Sequence, residues 1–129
     1  MSEKDVDVLA RTIWAEARGE GVAGQGYGVA FSPDGTAITI AHATSPFISA
    51  YPWSSSGFGT KFANPATPPP NYANDVDFHP IGDYLAVAHN SGSYVSAYRW
   101  SSAGFGSKFS NPATPPSGEG NRVAFGVEL

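Results

Sequence analysis

Apolar residues alternate with small or polar ones along most of this chain, at the period of two that puts every second side chain on one face of a strand. Val29 and Phe31 alternate in this way up to Ser32-Pro33-Asp34-Gly35. That tetrad predicts a turn, because proline fixes φ and glycine accepts a positive φ. Residues 37–41 predict a second strand and residues 47–53 a third. A hairpin loop at 54–57 leads into a fourth strand over 58–62, and residues 64–70 form a proline-rich, semi-rigid connector. The period changes only near the N-terminus. There Val6, Leu9, Ala10, Ile13, Trp14 and Ala17 fall on one stripe at helical spacing, after a capping-box-like Ser2 and Asp5 and before Gly19 and Gly21. The spacing predicts one α-helix over 2–18, whose stripe must dock elsewhere to be buried.

The strand pattern is written twice. Val29 and Phe31 return as Val76 and Phe78, 47 residues on, and Gly35 returns as Gly82. Ser49-Ala50-Tyr51-Pro52-Trp53-Ser54-Ser55 returns as Ser96-Ala97-Tyr98-Arg99-Trp100-Ser101-Ser102, and Asn64-Pro65-Ala66-Thr67-Pro68-Pro69 returns unchanged as residues 111–116. Roughly half the positions are identical at this single offset, without a gap. A third copy starts at Asn121-Arg122-Val123-Ala124-Phe125 and runs out at Leu129. Repeats of about 20–50 residues indicate stacked or ring architectures.

Four short antiparallel strands per unit make a β-propeller blade. The Phe31-Ser32-Pro33-Asp34-Gly35 turn resembles that of the WD40-like and YncE-like propeller families, over both repeats. The Trp-Asp dipeptide of WD40 blades is replaced by Trp53-Ser54 and Trp100-Ser101. The fold expected is therefore all-β, with two four-stranded blades in residues 26–129 and a helical segment in residues 1–25. Two blades leave two apolar faces uncovered, so the chain is expected to oligomerise. Propellers close at roughly four to eight blades, which a homotrimer of six or a homotetramer of eight satisfies. Residues 123–129 are expected to act as a closing strand on the next chain.

Leu9 to Gly21, LARTIWAEARGEG, resembles the start of the SleB-type cell-wall hydrolases. That resemblance implies peptidoglycan cleavage, of phage or bacterial type, with Glu16 at the position of the catalytic acid. After Gln25 the repeat takes over, and with it goes the groove such a hydrolase needs. Glu16 is thus also readable as a solvated or capping residue.

Composition narrows the classes. The net charge of −4 and seven Lys and Arg disfavour nucleic acid or an anionic membrane as partner. The absence of cysteine removes thiol catalysis and thiolate zinc sites. The polar Ser2-Glu3-Lys4-Asp5 start is unlike a signal peptide, no apolar run is long enough to span a bilayer, and the compartment stays open.

Candidate chemistry follows the repeat. His42 and His89 are equivalent, and are read either as ligand or metal contacts repeated around a channel or as histidines hydrogen-bonded to a loop. No carboxylate recurs beside both, so no metal site or cofactor is assigned. Trp53, Trp100, Phe58 and Phe105 recur among serines and glycines. They suit a sugar ring, giving a lectin-like alternative, or else blade-to-blade packing. No nucleophile triad, phosphate loop or dinucleotide fingerprint is present. The function expected is a non-enzymatic binding or structural module, with cell-wall hydrolysis through Glu16 and glycan binding as alternatives.

Overall fold

The structure is a computed structural model, and it describes residues 26–126. The helix expected over 2–18, Glu16, and the last three residues of the expected closing strand lie outside the described residues.

Eight strands follow in order: β1 (Gly26–Phe31), β2 (Ala37–His42), β3 (Ile48–Ser54), β4 (Gly57–Phe58), β5 (Ala73–Phe78), β6 (Tyr84–His89), β7 (Val95–Ser101) and β8 (Gly104–Lys108). They form two four-stranded antiparallel sheets, each with its strands in chain order. The turns behave as the sequence indicates. Gly35 and Gly82 hold φ of 75° and 89°, and the Gly35 amide donates to the Ser32 carbonyl at 2.9 Å. Asp34 Oδ1 accepts from the Ser32 hydroxyl (2.7 Å) and from the Thr36 amide and hydroxyl. The Ser32 bond first, then those from Thr36, pull the Asp34 carboxyl below its usual range.

The fourth strand of the first sheet is shorter than the sequence indicates. β4 ends at Phe58, whereas its copy β8 runs on to Lys108. The difference lies across the ladder, where Arg99 of the second sheet is replaced by Pro52 in the first. Proline has no amide to donate, so the pairing breaks there. The chain keeps its course through the Gly59 amide on the Pro52 carbonyl (2.8 Å) and the Phe62 amide on the Ala50 carbonyl (2.9 Å).

Cross-strand partners share a face. Val29, Ile40 and Ser49 are in register, as are Phe31, Ile38 and Tyr51, and Trp53 faces Phe58. These residues make the aromatic face of the first sheet; Ala30, Thr39, Ala41, Ile48 and Ala50 make its opposite face. The two sheets stack in one sense. Ala41 and Ile48, from the opposite face of the first sheet, share a core with Val76, Phe78, Leu85, Val87 and Tyr98, from the aromatic face of the second. Small residues on the first sheet let β1 approach β5. A Cβ on Gly28 would sit 2.8 Å from the Asp75 Cα, so only glycine fits there.

Residues 121–126 form no strand. The Val123 amide donates to Asp75 Oδ2 (3.0 Å) and the Phe125 amide to Asp77 Oδ2 (2.8 Å), both on β5 of the same chain. The Phe125 ring packs on His79 and Tyr84. Burial raises the Asp75 carboxyl above its usual range, opposed by the Val123 amide. As far as residue 126, the expected closing strand is therefore a tail held by side-chain carboxylates of its own second sheet.

Candidate binding face

The two aromatic faces have nearly the same residues and different surroundings. On the second sheet Tyr98 is fully buried, and its hydroxyl donates to the Thr67 carbonyl at 2.7 Å. Burial raises its pKa well above the usual tyrosine value. Trp100 is held edge-on by Phe62 of the first repeat (5.2 Å between ring centres), by Phe78 (5.3 Å) and by Phe105 (5.2 Å). Pro69 of the connector is buried with them. On the first sheet the equivalent cluster is Phe31, Tyr51, Trp53 and Phe58. Trp53 packs edge-on against Phe31 (5.6 Å) and Phe58 (5.0 Å). Tyr51 is only half-buried and Phe58 is 52% exposed. The Trp53 indole N–H is shielded and has no acceptor among the described residues.

The histidines pair with serines across the hairpin. His42 Nε2 lies 2.8 Å from Ser49 Oγ, and His89 Nε2 lies 2.9 Å from Ser96 Oγ. The partner is thus a residue on the neighbouring strand. Desolvation lowers both pKa values, ahead of backbone carbonyls that act the other way, at Thr44 for His42 and at Ser91 and Val95 for His89. His89 is fully buried, and its Nδ1 has no partner at full hydrogen-bond geometry among the described residues. These neutral rings order the β2–β3 and β6–β7 ladders. The spacing i, i+7 of His and Ser in both copies was the signal for this pairing, and sequence reasoning passed over it.

The sequence candidates therefore divide into two sets. Trp53 and Phe58 come together on a partly open face, while Trp100 and Phe105 come together under the first sheet. The histidines sit apart from the tryptophan clusters, each tied to its own serine. Among the described residues no group of three or more His, Asp or Glu is arranged to hold a metal ion. On the opposite face of the second sheet the tail lies over the β5 side, and the β7 side, with Val95, Ala97 and Arg99 beside Phe109, is partly exposed. The Arg99 guanidinium lies 4.4 Å from the centre of the Phe109 ring.

No protein-family model matches the sequence, and no curated protein matches it. Among solved structures, a chain of hydrazine synthase from Kuenenia stuttgartiensis is similar, with a TM-score of 0.54 over 76% of this chain and 26% of that one, at 14% sequence identity. This chain spans about a quarter of that neighbour's length, and at such identity the likeness is one of fold.

Proposed function

We propose that this chain is a non-enzymatic propeller subunit: two β-propeller blades that assemble with further copies into a ring serving as a binding or structural module. The observation that carries this reading is the one-way stacking of the sheets. Each four-stranded meander is a blade in form. The opposite face of the first covers the aromatic face of the second, so that at the two ends of the pair one face of each kind has no further sheet against it among the described residues. Such surfaces are complementary to each other and not to themselves, so repeating the step adds blades in one direction. With two blades per chain, three chains or four reach the roughly four to eight at which propellers close. Glu16 and its hydrolase-like surroundings contribute nothing to this reading.

Light scattering on the size-exclusion peak tests it. The expected mass is three or four times the 13.4 kDa of the chain. A monomer, or a species that grows without limit as concentration rises, would remove the ring.

A further inference from the structure

Resting on the ring reading above, we propose that the β3–β4 side of the aromatic face of the first sheet, where Tyr51 is half-buried and Phe58 is exposed, is the docking site for residues 109–116 of a second copy of this chain. Inside the chain, residues 62–69 already perform this docking on the second sheet. Phe62 packs on Trp100, the Thr67 carbonyl takes the Tyr98 hydroxyl, and Pro69 is buried. Phe62 also fills the space above Gly104, where a Cβ would come within 2.9 Å of its ring.

Both halves of this contact recur, and among the described residues they do not meet. Phe109 and residues 111–116 repeat Phe62 and residues 64–69. They leave the sheet in the same pose: the Phe109 amide donates to the Ala97 carbonyl (2.8 Å) as the Phe62 amide does to that of Ala50, and Lys108 bonds Asn111 as Lys61 bonds Asn64. Residues 111–116 are exposed throughout. On the receiving side, Tyr51, Trp53, Gly57 and Phe58 repeat Tyr98, Trp100, Gly104 and Phe105. A Cβ on Gly57 would meet nothing within 4 Å, so among the described residues nothing fills the slot that Phe62 fills over Gly104. In the docked pair Phe109 enters that slot against Trp53, and the Thr114 carbonyl accepts from the Tyr51 hydroxyl. The incoming β1 must then lie along β5, where residues 123–125 sit. Val123-Ala124-Phe125 repeats Val29-Ala30-Phe31, so the tail and the incoming β1 are rivals for Asp75 and Asp77. Removing residues 120–129 therefore strengthens docking.

The test is complementation between two singly defective full-length chains, read as mass by light scattering. Phe58→Glu spoils the receiving face, and Pro112→Glu with Pro116→Glu spoils the inserted segment; all three residues are exposed. Each variant alone is expected to associate about tenfold or more weakly than wild type, and their equimolar mixture to form a species of two chains that grows no further. Tyr51→Phe, which removes a hydroxyl and little packing, is expected to weaken association about fivefold. A fixed three- or four-chain wild-type mass that all these substitutions leave unchanged overturns the docking site and spares the ring. A complemented pair from a wild type that never closes spares the docking site and removes the ring. If the mixture stays monomeric, or if wild type and the chain lacking 120–129 are both monomeric at high micromolar concentration, the docking site falls.

Discussion

The clearest measure of the sheet-to-sheet contact is the pair Tyr98→Phe and Tyr51→Phe. The two tyrosines occupy equivalent places in the repeat, so the chemical change is identical. Tyr98 is fully buried and bonded to the Thr67 carbonyl at 2.7 Å; Tyr51 is half-exposed, with no second sheet stacked on it among the described residues. Removing the Tyr98 hydroxyl forfeits a net hydrogen bond of about 0.5–1.5 kcal/mol and strands a carbonyl beneath the connector, for a total loss of about 1–3 kcal/mol. Removing the Tyr51 hydroxyl leaves water as the alternative, and the change stays within about 0.5 kcal/mol. Urea unfolding, followed by tryptophan fluorescence at a dilution where the chain is monomeric, reads the difference. With a slope of about 1.5 kcal/mol/M, the Tyr98→Phe midpoint falls by about 0.7–2 M and the Tyr51→Phe midpoint by about 0.3 M or less. Equal midpoints would refute the idea that the first repeat's connector is stitched to the second sheet.

Two further outcomes follow from local chemistry. His42 and His89 both have folded pKa values below the unfolded value of about 6.5, so the unfolded chain binds more protons in that range. Stability is therefore full above that pH and declines as pH falls below it, and His89→Gln should flatten the decline in unfolding midpoints measured between about pH 7 and 5; an unchanged slope would contradict the buried neutral ring. Gly28→Ala places a Cβ 2.8 Å from the Asp75 Cα and so must part the sheets, at an expected cost of about 1–3 kcal/mol in chemical denaturation, and an unaltered midpoint would show that the approach is looser than described.

The strands, turns and two-sheet plan were legible in the sequence because alternation and the 47-residue offset agree wherever Val29, Phe31, Tyr51 and Trp53 recur. The length of β4 was not, since it depends on a proline in the facing strand. Nor could the sequence say which copy of an identical string is covered. Tyr98 is buried because the first sheet and its connector lie over it, and position in a stack leaves no mark on the residue itself. Asp75 and Asp77 do not recur in the first repeat, where Gly28 and Ala30 stand in their places. Their failure to recur is what distinguishes a strand that meets the tail from one, led by Gly28 and Ala30, that meets another sheet. The Trp53–Phe58 cluster was foreseen as a set of residue types, and its openness came only with the three-dimensional arrangement.

Near-duplicate modules in one polypeptide invite a folding error in which each takes the other's place. The glycine at position 28 and the aspartate at position 75 work against that error. Were β5 to adopt the role of β1, a carboxylate would be pressed against a neighbouring main chain that tolerates only a hydrogen atom. A single divergent site thus tells two otherwise similar halves which comes first, and any attempt to lengthen the array by copying one half would have to preserve that distinction.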